Sequence, residues 1–179
     1  MVRPLLLAGA ATLTAAVLAA AAHAQPPAMP MAPLATLDFI RAASTTDTYE
    51  REAGQVAARR AMSAEVRQFG GMMSKNHAKT TAALKRAVAA AHLHEAPGPA
   101  LSPDLDKLLG ELRGAAPPAF DRQYIHDQIM VHEKALGTIK GYAMRGDNPV
   151  IREAAAKTVP IVEEHLRRAR EIEDHLPRG

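Results

Sequence analysis

Three histidines and one glutamate stand where side chains of their type are uncommon, on the apolar faces of helical repeats. They are Glu50, His77, His132 and His165. His77 shares its stripe with Val66, Phe69, Met73, Leu84 and Val88, spaced by three and four residues. His132 follows Tyr124 and Gln128 and precedes Leu136 and Ile139, while His165 lies between Ile161 and Ala169. Three imidazoles and a carboxylate suit one transition-metal ion, Zn(II), Cu(II) or non-haem Fe. They also suit a metal-free polar network, because a buried polar group without a partner costs about 1–3 kcal/mol. The spacing argues against a di-iron centre. Such sites take Glu-x-x-His pairs, and the residues three before the histidines are Ser74, Ile129 and Val162.

Position along the chain groups the four. Measured from a turn near Met62, Glu50 lies 12 residues back and His77 lies 15 forward. At about 1.5 Å of rise per residue, the two differ by only about 4–5 Å along the axis. From a second turn near Asp147, His132 is 15 residues back and His165 is 18 forward, giving the same offset. The four side chains therefore reach one level whether the two central helices run parallel or antiparallel.

The elements that carry them are helical. Alanine dominates the composition, aromatic residues make up 3% and tryptophan is absent, a balance that favours an all-α fold. The spacing predicts helices over residues 36–61, 63–92, 117–145 and 147–176, with a short one over 102–113. Ser63, Ser102 and Asp147 serve as N-caps, and Pro103 and Pro149 stand in first turns. Two antiparallel hairpins result, forming a four-helix bundle with the short helix in the connection between them. Asp47 is a second acid on the inward stripe of the first helix, and Gly54 on that stripe suggests close approach of a neighbour. Pro160 predicts a kink one turn before His165. Glu133, Glu163 and Glu164 fall on the solvent side, as do His126 and His175. Met72 and Met73 read as core filling.

Residues 1–24 have the form of a secretory signal. Arg3 precedes an almost wholly apolar run from Leu5 to Ala22, and Ala22-His23-Ala24 fits a cleavage site. Residues 25–35 are a proline-rich lead-in, so the bundle occupies 36–176. Export points to the periplasm, or to association with the outer envelope, with no membrane span in the mature chain. With no cysteine, disulfides, thiolate metal sites and cysteine nucleophiles are excluded. The 22 basic and 19 acidic residues alternate along helices without interleaved aromatics, which excludes a nucleic-acid surface. No triad, phosphate loop or dinucleotide fingerprint is present, so no catalytic residue is assigned. Partners left open are an envelope protein or a second copy of the chain.

Several segments together resemble the bacterial family called domain of unknown function 4142, whose members are often labelled outer membrane proteins. They are Asp38-Phe39-Ile40, Tyr49 to Gly54, Val66-Arg67-Gln68-Phe69 followed by His77, Phe120 to Tyr124, His132 to Leu136, and Pro160 to Leu166. The resemblance implies a ferritin-like bundle with a long crossover over residues 93–116. It also implies that Glu50, His77, His132 and His165 are the polar core positions. Asn76 departs from it, standing where an acidic residue is usual. The family brings no settled activity. The expectation is a bundle that binds one metal ion in a stress or metal-handling role, or else a structural module of the envelope with a metal-free polar core.

Overall fold

The computed structural model describes residues 35–94, 98 and 100–177, and the expected signal over residues 1–24 and most of the proline-rich lead-in lie outside them. The described chain is all-helical. Its elements are α1 (Thr36–Arg60), α2 (Ala64–Ala90), α3 (Pro103–Gly114), α4 (Pro117–Arg145) and α5 (Pro149–His175). Among the described residues, no helix is long and apolar enough to cross a membrane.

Helices α1 and α2 pair closely, as do α4 and α5. The two hairpins then face each other through α1 against α4 and α2 against α5. Polar contacts at the ends set the direction of each helix. The Met62 and Ser63 amides in the α1–α2 turn donate to Asp121 at the start of α4, across 3.0 and 2.7 Å. At the opposite end, Thr36 at the start of α1 bonds the Tyr142 hydroxyl near the end of α4, 2.6 Å away. So α4 runs antiparallel to α1 and in the same sense as α2. The connection from α2 to α4 must therefore travel the length of the bundle, and α3 lies along it, packed on α1 and α4.

Close packing within the first hairpin depends on two glycines. A Cβ on Gly54 would lie 2.6 Å from the Gly70 carbonyl oxygen and 2.9 Å from the Ser74 nitrogen. One on Gly70 would lie 2.7 Å from the Ala57 Cβ and 2.8 Å from the Gly54 carbonyl. Backbone meets backbone here, and only residues without a Cβ permit that approach. Neighbouring Gly71 has open space around it.

Three details, two of them at helix boundaries, differ from the sequence expectation. Asn148, not Asp147, caps α5, its side-chain oxygen accepting from the Val150 and Ile151 amides at 3.0 and 3.1 Å. Asp147 instead bonds Thr36 and Tyr142, tying α1 to the turn between α4 and α5. Helix α2 ends at Ala90, short of the expected His92, because His92 adopts a left-handed φ of 54°. The His92 and Leu93 amides there donate back to Ala89 and Val88, a C-terminal motif usually built on glycine. On α5 the buried stripe runs Ile151, Ala155, Val162, His165, Ala169 and Ile172, while Ile161 is 38% exposed. The 3.6-residue period from Ile151 places Val162 inward, and Ile161 lies about 100° around the helix.

Gly54→Ala is expected to lower stability by about 1–3 kcal/mol through forced separation of α1 and α2. Gly71→Ala should be neutral or raise stability by up to about 1 kcal/mol. Parallel urea melts of both variants check this pair.

Candidate metal centre

His77 on α2, His132 on α4 and His165 on α5 meet at the bundle centre, all three at most 4% exposed. Their ring centroids lie 5.7 Å apart for His77 and His132, 5.2 Å for His77 and His165, and 5.5 Å for His132 and His165. One nitrogen from each ring falls within 4.8 Å of the other two. The periodic stripes that place them are those of the apolar core, so the same burial that builds the bundle encloses the rings.

Each ring is held from behind. His77 Nδ1–H donates to Asp47 across 2.7 Å, and the Thr80 and Thr81 hydroxyls bind the same carboxylate at 2.9 and 3.0 Å. His132 Nδ1–H donates to the Gln128 carbonyl, one turn back on its own helix, at 2.8 Å. With the proton fixed on Nδ1, both rings turn an Nε2 lone pair inward. Hydrogen bonding to the far nitrogen is how metal-ligating histidines are ordinarily oriented. Asn76 Nδ2 lies 3.0 Å from His165 Nε2. A half-turn of that amide would set its oxygen against Nε2–H and free the Nδ1 lone pair. The inward atoms, His77 Nε2, His132 Nε2 and His165 Nδ1, have no hydrogen-bond partner.

Glu50 is wholly buried, and its carboxylate stands 3.4 Å from His132 Nδ1. That places it behind the ring, outside the group of three inward nitrogens. Burial pushes its pKa up to about 7, with the His77 and Gln128 side chains opposing and Asp47 and Asp127 adding to the rise. Burial also holds His132 down to about 3 and His165 down to about 4, helped in each case by His77. Those two imidazoles are therefore neutral near pH 7, the form that can ligate a metal. Tyr49 and Tyr124, both fully buried, have their pKa raised by burial first and by Glu50 second.

The three histidines come together as their helical positions imply, and Glu50 stands one layer back. Asp47 is the residue whose part sequence reasoning did not assign. It lies three residues before Glu50 on the same face of α1, and that spacing was the available signal. Asn76, conspicuous only as a departure from a pattern, is the partner of His165. Glu133, Glu163 and Glu164 are exposed and pair with Arg170, Lys140 and Arg167.

Fold and site together define an all-helical protein with a buried layer of three histidines across its core. The chain belongs to the family described as Domain of unknown function (DUF4142), whose model matches residues 18–172. Neither a curated protein nor a solved structure matches it significantly.

Asp127 supplies a pH test that does not depend on the three core histidines. It is 4% exposed, and burial first, then Glu111, raise its pKa from the ordinary carboxylate value to about 6 against the opposing pull of His126. A raised folded-state pKa contributes stability below the unfolded value, near pH 4, and loses it as pH rises through about 6. Asp127→Asn should therefore match the wild type below about pH 4 and exceed it by about 1–2 kcal/mol above pH 7. Denaturant melts across that range measure the difference.

Proposed function

We propose that this chain is an exported, periplasmic, ferritin-like bundle that holds a single divalent transition-metal ion through His77, His132 and His165, in a metal-handling role. The observation that carries this reading is the set of three buried, unpartnered imidazole nitrogens. An unpartnered buried polar atom costs about 1–3 kcal/mol, and three of them converging on one point give a ligand set. The single long crossover between α2 and α4 supports the ferritin-like part of the reading. The signal-like residues 1–24 support export.

The donor set selects the ion. Neutral imidazoles suit Zn(II), Cu(II), Ni(II) or Fe(II), whereas Ca(II) and Mg(II) require oxygen ligands. A tetrahedral ion with bonds of about 2.0–2.1 Å would set its nitrogens about 3.3 Å apart. The three nitrogens lie within 4.8 Å of one another, and ligation would have to draw them closer to that spacing. Three protein ligands leave a fourth position for water or a small molecule, the arrangement of open rather than purely structural sites. Asp47 behind His77 would raise the basicity of that ligand, and Glu50 lies 3.4 Å from the outward nitrogen of His132. Two carboxylates, both set behind the rings, and no Glu-x-x-His pair do not make a di-iron oxidase.

Protein purified from the periplasm should carry about one equivalent of metal by elemental analysis. The His77→Ala/His132→Ala variant should carry essentially none while keeping its helical circular dichroism. Metal at 100 times its dissociation constant should stabilise the wild type by about 2.7 kcal/mol, an increment that chelator removes. Asp47→Asn should bind about 10–100-fold more weakly. Equal metal in wild type and double variant, with a melt that chelator leaves unmoved, would establish the metal-free polar network instead.

A further inference from the structure

A cavity of about 1000 Å³ runs between the two hairpins, with His77, His132 and Asp47 at its inner end and Phe39, Ile139 and Val150 toward the other. Its volume is at the upper limit of the roughly 300–1,000 Å³ that drug-sized ligands occupy. The space exists because the hairpins present alanines to each other here, among them Ala42, Ala83, Ala87, Ala135 and Ala154. The opposite half of the bundle is closed by Phe69, Phe120 and Tyr124 with Leu109 and Leu112 of α3, while Leu105 and Leu108 of α3 line the cavity.

Two features of its edges describe an occupant. Met130 on α4 and Ile161 on α5, 45% and 38% exposed, both line the cavity, so apolar surface is left open where it meets solvent. Exposed Lys79, Arg86 and Lys134 also line it, with no ion-pair partner among the described residues. Lys157 is neutralised by Glu153 at 2.6 Å. Asp104 is the remaining edge acid. The interior is thus mostly apolar away from the histidine end, and the rim is cationic in balance.

We propose that this cavity binds a single-chain amphiphile with an anionic head, of the long-chain monocarboxylate class. The acyl chain would lie along the alanine-lined interior, with the carboxylate at the α2 edge between Lys79 and Arg86. A neutral apolar ligand would leave those two cations unused, and a hydrophilic anion would leave the alanine-lined length empty. Occupancy does not require a metal ion, so the proposal stands apart from the metal reading and is tested on both chelated and metal-loaded protein.

The experiment is displacement of a dansyl-labelled fatty acid from the full mature protein by octanoate, dodecanoate and hexadecanoate. Affinity should rise about fourfold per added methylene until the cavity is filled. Dodecanol should bind about tenfold more weakly than dodecanoate, a difference that Lys79→Glu/Arg86→Glu removes without affecting dodecanol. Ala83→Phe and, as an independent filling variant, Ala154→Leu should each weaken all the ligands tenfold or more while the thermal melt is retained. An affinity independent of chain length, or filling variants that fold and bind as the wild type does, would overturn the proposal. Capture on phosphatidylglycerol vesicles without displacement of the probe by free acids would overturn it in favour of a membrane surface. Loss of the metal equivalent with the chain-length dependence intact would overturn only the metal reading.

Discussion

Three unpartnered imidazole nitrogens, turned toward one another in the middle of a helical core, set the terms for everything around them. Imidazole is polar enough that burial without a partner is costly, and the chain buries it on three separate helices. Asp47, the Gln128 carbonyl and Asn76 take the outward nitrogens and hold the rings in place. The inward nitrogens have no such relief from the protein. Burial lowers the proton affinity of His132 and His165, so protonation at neutral pH does not answer the problem, whereas the cation proposed above would.

Packing around that layer is uneven. Within the first hairpin, Gly54 and Gly70 bring α1 and α2 to backbone contact. Between hairpins, alanines on facing helices leave a cavity that reaches two of the three histidines. Small residues thus serve opposite ends: glycine at a crossing closes helices together, while alanine on facing walls leaves room between them. The cavity also gives an ion or small ligand a route to the histidine layer, which a uniformly packed bundle would deny.

Much of this was legible in the residues. The stripe Val66, Phe69, Met73, His77, Leu84 and Val88 on α2 is buried as its period requires. Ser63 and Ser102 cap the helices they precede. Other details depended on competition between neighbours. Asp147 and Asn148 are both competent caps, and Asn148 takes the role because Asp147 is drawn to Thr36 and Tyr142, more than a hundred residues away along the chain from Thr36. Tyr49 and Tyr142 are fully buried although neither was placed on a stripe. The buried face of α1 is broadened by contacts with α2, α3 and α4.

By itself the sequence determined that the chain is helical, where its helices lie to within a few residues, and that three histidines share a level. Each of these follows from local periodicity and the fixed rise of the α-helix. Only the tertiary structure decided that α4 runs alongside α2 in the same sense, that Asp47 rather than Glu50 directly braces His77, and that Glu50 stands behind His132. Those outcomes turn on which helix lies opposite which, and on rotations of a few tens of degrees that a hydrophobic period does not encode. The same limit explains the cavity: an alanine stripe reads alike whether its neighbour closes on it or stands away.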